Sequence, residues 1–209
     1  MTERHHRPVR FAGHRFEAFE GGSDPAAVSR LAHETANALL ARVRSQPDAE
    51  ILERLVTFAD ENGIDAIAEL WSRATARSLP GTLWRIYLLR TMIGADPAGG
   101  SLFFQRGIEI SETIDPVVAG APDPAGPSEV LVLADDILRG VFSGDLAIAL
   151  DRAAAFCRVS AAGCTSVADD LESTEPERST ELTRRALRLS EIGADLSASS
   201  KLWRTGGLD

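Results

Sequence analysis

Apolar residues recur along this chain at spacings of three and four, and the pattern breaks at positions bearing Pro and Gly. The sequence therefore predicts helices joined by short turns. The densest stretch is 83–93, LWRIYLLRTMI, where Leu83, Trp84, Ile86, Tyr87, Leu88, Leu89, Met92 and Ile93 leave no face of a helix wholly polar. It is too short for a membrane span, which needs about 20 apolar residues, and it carries Arg85 and Arg90. It is expected to be wrapped by protein on all sides, as the central post of an all-α irregular bundle of about eight helices.

The other elements follow in order. Residues 1–22 mix Arg, His and Phe without helical period and end in Gly21-Gly22, which predicts an extended N-terminal arm anchored by Phe11, Phe16 and Phe19. Asp24-Pro25 starts a helix that carries Val28, Leu31, Ala32, Thr35, Leu39 and Val43 to about Arg44. A second helix after Pro47-Asp48 places Ile51, Leu52, Leu55, Val56 and Ala59 on one face and ends at Asn62-Gly63. Ile64, Ile67, Ala68, Trp71 and Ala74 make the third.

Ser78 caps the central helix, Pro80 sits in its first turn, and Gly94 with Asp96-Pro97 closes it and opens a fifth. That fifth helix, around Leu102, Phe103, Ile110 and Ile114, is weakened by Gly99, Gly100 and Gly107, and Ile108-Glu109-Ile110 alternates like a strand. The stretch 115–127 (DPVVAGAPDPAGP) cannot be helical. Val117 and Val118 make it a packed crossing rather than a tether, and the single domain 23–209 would divide there if anywhere. Ser128 caps a sixth helix with Val130, Leu131, Ala134, Ile137, Leu138 and Val141. Gly140 and Gly144 then turn the chain into an alanine-rich seventh, from Asp145 to about Asp169.

Thr174-Glu175-Pro176-Glu177 fits a capping box for the eighth helix. Leu182, Ala186, Leu189, Gly193, Leu196, Ser200 and Trp203 then alternate by four and three, a narrow seam of coiled-coil type. Two coverings are open for it: the seventh helix of the same chain, or a second copy through Leu182, Leu189, Gly193, Leu196 and Trp203 in a two-fold homodimer.

Composition narrows the function without naming it. At 209 residues, with 44% hydrophobic and 25% charged residues, the chain can bury a core without disulfides. Its net charge of −9 argues against general affinity for nucleic acid or acidic membranes. No apolar run follows the N-terminal charges as in a secretory signal, so a cytoplasmic location is expected. Cys157 and Cys164, seven apart on one helix, would stand roughly 10 Å apart, too far for a disulfide, and no His lies near them. They read as small buried hydrophobes.

Catalytic and metal motifs are missing. There is no HExxH, GxSxG, GxxxxGK[ST] or GxGxxG, and of His5, His6, His14 and His33 only the last falls on a predicted helix. No catalytic residue, metal or cofactor is implied. The charge map is the unusual feature. Residues 70–95 hold Arg73, Arg77, Arg85 and Arg90 with no acid, whereas 48–69 hold seven acids against Arg54, and 109–136 hold seven acids with no base.

Either these blocks pair within the fold, because an Arg on a covered helix needs a carboxylate, or Arg73, Arg77, Arg85 and Arg90, with Trp71, Trp84 and Tyr87, form a patch for an anion or an acidic partner. The first function expected is non-enzymatic, through protein contacts or self-association. The alternative is a small-molecule or anion binder, or an enzyme of unfamiliar type, with a pocket near Trp71, Trp84 and Arg85. A polymerase- or nucleic-acid-associated factor comes third and needs a continuous arginine surface.

The segments RPVRF near the start, SLPGTLWRIYLLR at 78–90, TIDPVVAGAP at 113–122, ALDRAAAFCR at 149–158 and LWRTGGLD at 202–209 together resemble a family of small helical bacterial proteins of about this length. Members often bear the label "DNA-directed RNA polymerase subunit beta". The resemblance spans nearly the whole chain and implies a helical fold throughout. Through the label it implies a binding role toward polymerase, and it carries over no functional residue.

Overall fold

The computed structural model describes residues 25–40, 64–110 and 125–209. Within them lie seven helices and no strand: α1 Pro25–Leu39, α2 Ile64–Trp71, α3 Leu79–Ala95, α4 Pro97–Ile110, α5 Pro127–Leu138, α6 Leu146–Leu171 and α7 Pro176–Arg204. The expected N-terminal arm, the helix after Pro47 and the crossing up to residue 124 lie outside the described residues. None of the described helices is long and apolar enough to cross a membrane.

The central helix α3 begins as its sequence directs. The Ser78 hydroxyl accepts the Gly81 N–H at 3.2 Å, and Pro80 needs no donor in the first turn. Leu79, Leu83, Ile86, Leu89 and Ile93 are buried, and Trp84, Tyr87, Leu88 and Met92 pack half-buried around them. Helices α1, α2, α5 and α7 cover it, and α4 meets its end. Two buried hydroxyls tie it to α7: Thr82 donates to Ser199 at 2.8 Å, in a place where an unpaired hydroxyl would be costly.

The long helices α6 and α7 form an antiparallel hairpin, and α4 lies against α6. Asp145 caps α6, its carboxylate accepting the Ala147 N–H at 2.8 Å. The alanines of α6 keep its surface low, and Gly193 of α7 sits so close that a Cβ there would come 3.1 Å from that of Cys157. Past α7 the chain turns back at Gly206, whose φ of +71° suits a residue without a Cβ. Leu208 is then buried, and the Asp209 backbone oxygen accepts the Leu79 N–H at 2.5 Å, satisfying a donor that the start of α3 leaves open.

The expected fifth helix forms and runs through Ile108-Glu109-Ile110 despite its strand-like alternation, because α4 packs Phe103, Phe104 and Gly107 onto α6 and that contact overrides propensity. Two local expectations change. Helix α5 is capped at Gly126 rather than Ser128: Pro127 takes the first helical position, and the Glu129 carboxylate reaches back to the Gly126 N–H at 2.7 Å. Helix α7 starts one residue later than its capping box implies, with Glu175 at the cap and no side-chain bond there.

Candidate functional site

The seven residues of the expected patch separate into four environments. Arg85 and Arg90 are committed to ion pairs. Arg85 Nε donates to Asp195 of α7 at 2.6 Å and its Nη1 to the Gly81 carbonyl at 2.9 Å, while Arg90 Nε donates to Asp135 of α5. Asp135 belongs to the acid-rich span 109–136, so here charge blocks distant in sequence pair within the fold.

Trp71 is wholly buried, its indole N–H donating to Thr35 at 3.1 Å. Trp84 and Tyr87 stack at 5.4 Å between ring centroids, and the Tyr87 hydroxyl donates to Asp65 of α2 at 2.7 Å. That bond, then burial, then the Asp65 charge raise the Tyr87 pKa above its ordinary value. Arg73 and Arg77 are left exposed in the turn between α2 and α3, with no ion pair to a described residue. The seven therefore make no single site, and the four arginines make no one surface.

A pocket is expected near Trp71, Trp84 and Arg85. A cavity of about 190 Å³ lies between α1 and α2, lined by Pro25, Val28, Ser29, Ala32, Leu70, Arg73 and Ala74. Of the expected residues only Arg73 reaches it.

The seam of α7 is filled from within the chain. Leu182, Leu189, Gly193 and Leu196 are buried, Trp203 is half-buried, and the helix lies along α6. The alanine-rich face of α6 occupies most of the stripe they form, which leaves little of it for a second copy.

A larger cleft, about 310 Å³, opens where α3 ends, α4 begins and α7 passes both. Met92, Ala95, Asp96, Phe103, Arg178, Glu181, Leu182, Arg185 and Arg188 line it. Asp96 links the two shorter helices: its carboxylate accepts the Gly99 N–H at 2.9 Å in the first turn of α4 and the Arg185 Nη1–H at 2.8 Å. The Arg185 bond, then the Gly99 bond and the charges of Arg185 and Arg178, hold the Asp96 pKa below its ordinary value, so the carboxyl is ionised at neutral pH.

Arg185 lies over the Phe103 ring at 4.9 Å. Its Nε is buried and donates to no acceptor among the described residues. Arg178 and Arg188, one turn or two away on the same helix, are exposed. The cleft thus presents three guanidinium groups around one carboxylate already engaged and one, Glu181, in solvent.

The sequence reading missed this cluster. Its signal was present in the spacing of Arg178, Arg185 and Arg188 beside the seam, but Asp96, the residue that organises it, lies 89 positions from Arg185.

For chemistry other than binding the described residues offer little. Burial pushes the Cys157 thiol up to about 12 and the Cys164 thiol up to about 11, so both stay protonated and poorly nucleophilic. No three His, Cys, Asp or Glu among the described residues stand close enough to hold a metal ion. Compared with family models, with curated proteins and with solved structures, the chain matches none.

Proposed function

We propose that this protein works by binding, in the cytoplasm, and that the cleft under Arg178, Arg185 and Arg188 receives an anionic group carried by its partner. The observation that carries this reading is Arg185, held by Asp96 and the Phe103 ring while its Nε–H has no acceptor among the described residues, with two exposed arginines beside it. Guanidinium groups arranged around a recess bind carboxylates and phosphates through paired donors. The engaged Asp96 fixes their positions without neutralising all three.

The test is thermal unfolding of the full chain in rising citrate and in a rising concentration of a glutamate-rich peptide, with a lysine-rich peptide as control. A ligand present at a hundredfold excess over its Kd stabilises by about 2.7 kcal/mol, which raises Tm by roughly 5–10 °C for a chain of this size. The rise is expected with citrate or the acidic peptide, is absent with the basic one, and shrinks in the exposed variant Arg178→Ala. No rise with either anion would refute the reading.

A further inference from the structure

The solvent face of α7 carries a charge pattern that is its own complement. Glu177, Glu181, Arg184 and Arg188 follow one another at four, three and four residues, so they stand in one stripe along the helix, about 16 Å long. All four are exposed, and none takes part in an ion pair among the described residues. Along the stripe the two glutamates are like-charged neighbours at i,i+4, and so are the two arginines, while Glu181 and Arg184 are opposite charges at i,i+3.

Read in the opposite direction the stripe is Arg, Arg, Glu, Glu. A second α7 laid antiparallel, with the two-fold axis passing between Leu182 and Thr183, sets Glu177 opposite the partner subunit's Arg188 and Glu181 opposite the partner subunit's Arg184. The symmetry supplies the two converse pairs, so every like-charged neighbour along the stripe acquires an opposite charge across it. Leu187, 60% exposed beside the stripe, is a large apolar side chain that such a contact would cover. The chain as a whole is at −9, yet the stripe is locally neutral, so the contact does not bring the acidic regions face to face.

We infer that a second copy of this chain docks antiparallel on the outer face of α7 through these four residues. The contact is isologous, as a two-fold interface must be. It lies on an exposed face of the helix, apart from the buried apolar seam that α6 fills. Exposed ion pairs are individually weak, so the assembly is a dimer of modest affinity, seen at high protein concentration. Glu181 and Arg188 also line the cleft, so a docked copy and an anion there compete, and the test is made without added anion.

Sedimentation equilibrium on the full chain at hundreds of micromolar tests it. The wild type is expected to approach twice the monomer mass. The variant Glu177→Arg with Glu181→Arg, and separately Arg184→Glu with Arg188→Glu, are expected to remain monomeric, since each sets four like charges against four. Both should keep the wild-type circular dichroism, because all four positions are on the surface. Mixed in equal amounts, the two variants should recover the dimer mass. A wild type that stays monomeric, an assembly indifferent to both reversals, or a mixture that fails to associate would each overturn the proposal.

Discussion

Gly163 of α6 lies directly against the backbone of Phe103 in α4: a Cβ placed on it would come 1.8 Å from the Phe103 carbonyl oxygen. Gly107 repeats the relation from the other side, its Cβ position falling 1.9 Å from the Val159 carbonyl oxygen. The two helices therefore cross at backbone contact, and no rotamer change can make room for a methyl group. Either Gly163→Ala or Gly107→Ala is expected to force the helices apart and cost about 1–3 kcal/mol. By contrast, Gly94 has nothing within 4 Å of its Cβ position and sits in α3. Gly94→Ala should gain up to about 1 kcal/mol from helix propensity and the unfolded chain's lost freedom. Urea unfolding of the three variants checks both signs, and equal effects would mean that the crossing is not as close as described.

The same glycines explain what could be read from sequence. The cap of α3 and the start of α6 were legible because Ser78 and Asp145 act on donors only a few residues away. Helix α4 was doubtful because Gly99 and Gly107 lower its intrinsic propensity, and the compensating contact comes from α6, beyond any local window. The seam of α7 was legible as an apolar stripe, but periodicity does not say what covers a stripe, and α6 does. The arginines of the cleft went unnoticed because their meaning depends on Asp96 and Phe103, which only the folded chain brings to Arg185.

The division of the four expected arginines predicts a division in stability. Arg85 and Asp195 have side chains 17% and 26% exposed, so removing the guanidinium strands a carboxylate that is largely out of water. Arg85→Ala should cost about 1.5–3 kcal/mol, the range for hydrogen bonds to charged groups. The double variant Arg73→Ala with Arg77→Ala removes two exposed charges and should stay within about 0.5 kcal/mol of the wild type. Chemical unfolding midpoints compare the two, and a double variant as costly as Arg85→Ala would show that the exposed arginines hold the fold.

Leu208 closes the fold at the start of α3. Its side chain is 2% exposed, and its position sets the next residue's backbone oxygen on the Leu79 N–H. Leu208→Ala should cost about 2–3 kcal/mol, the lower part of the range for a buried leucine, because the neighbouring backbone can collapse partly into the space. The amide of Leu79 should also exchange its hydrogen faster than those in the middle of α3 once its acceptor loosens. Protection at Leu79 unchanged by the substitution would mean that the backbone bond does not depend on the leucine.

The two buried thiols set an alkaline limit on stability. In the unfolded chain a thiol ionises near the ordinary value of 9.0, whereas in the fold Cys157 is pushed up to about 12 and Cys164 to about 11 by burial. Below pH 9 both states hold both protons, and the thiols contribute no pH dependence. Above it the unfolded chain releases protons that the folded chain keeps, so the balance shifts toward unfolding and stability is lost as pH rises toward the folded values. Each thiol adds at most about 1.4 kcal/mol per pH unit to that slope. Tyr87, whose pKa is also raised, acts in the same direction, so Tyr87→Phe serves as the comparison. Unfolding midpoints at pH 7.5, 9 and 10.5 should fall steeply over the last interval in the wild type and less steeply in Cys157→Ala. The alanine variant loses some packing at every pH, so the diagnostic is the slope and not the midpoint, and parallel slopes would place the alkaline sensitivity elsewhere in the chain.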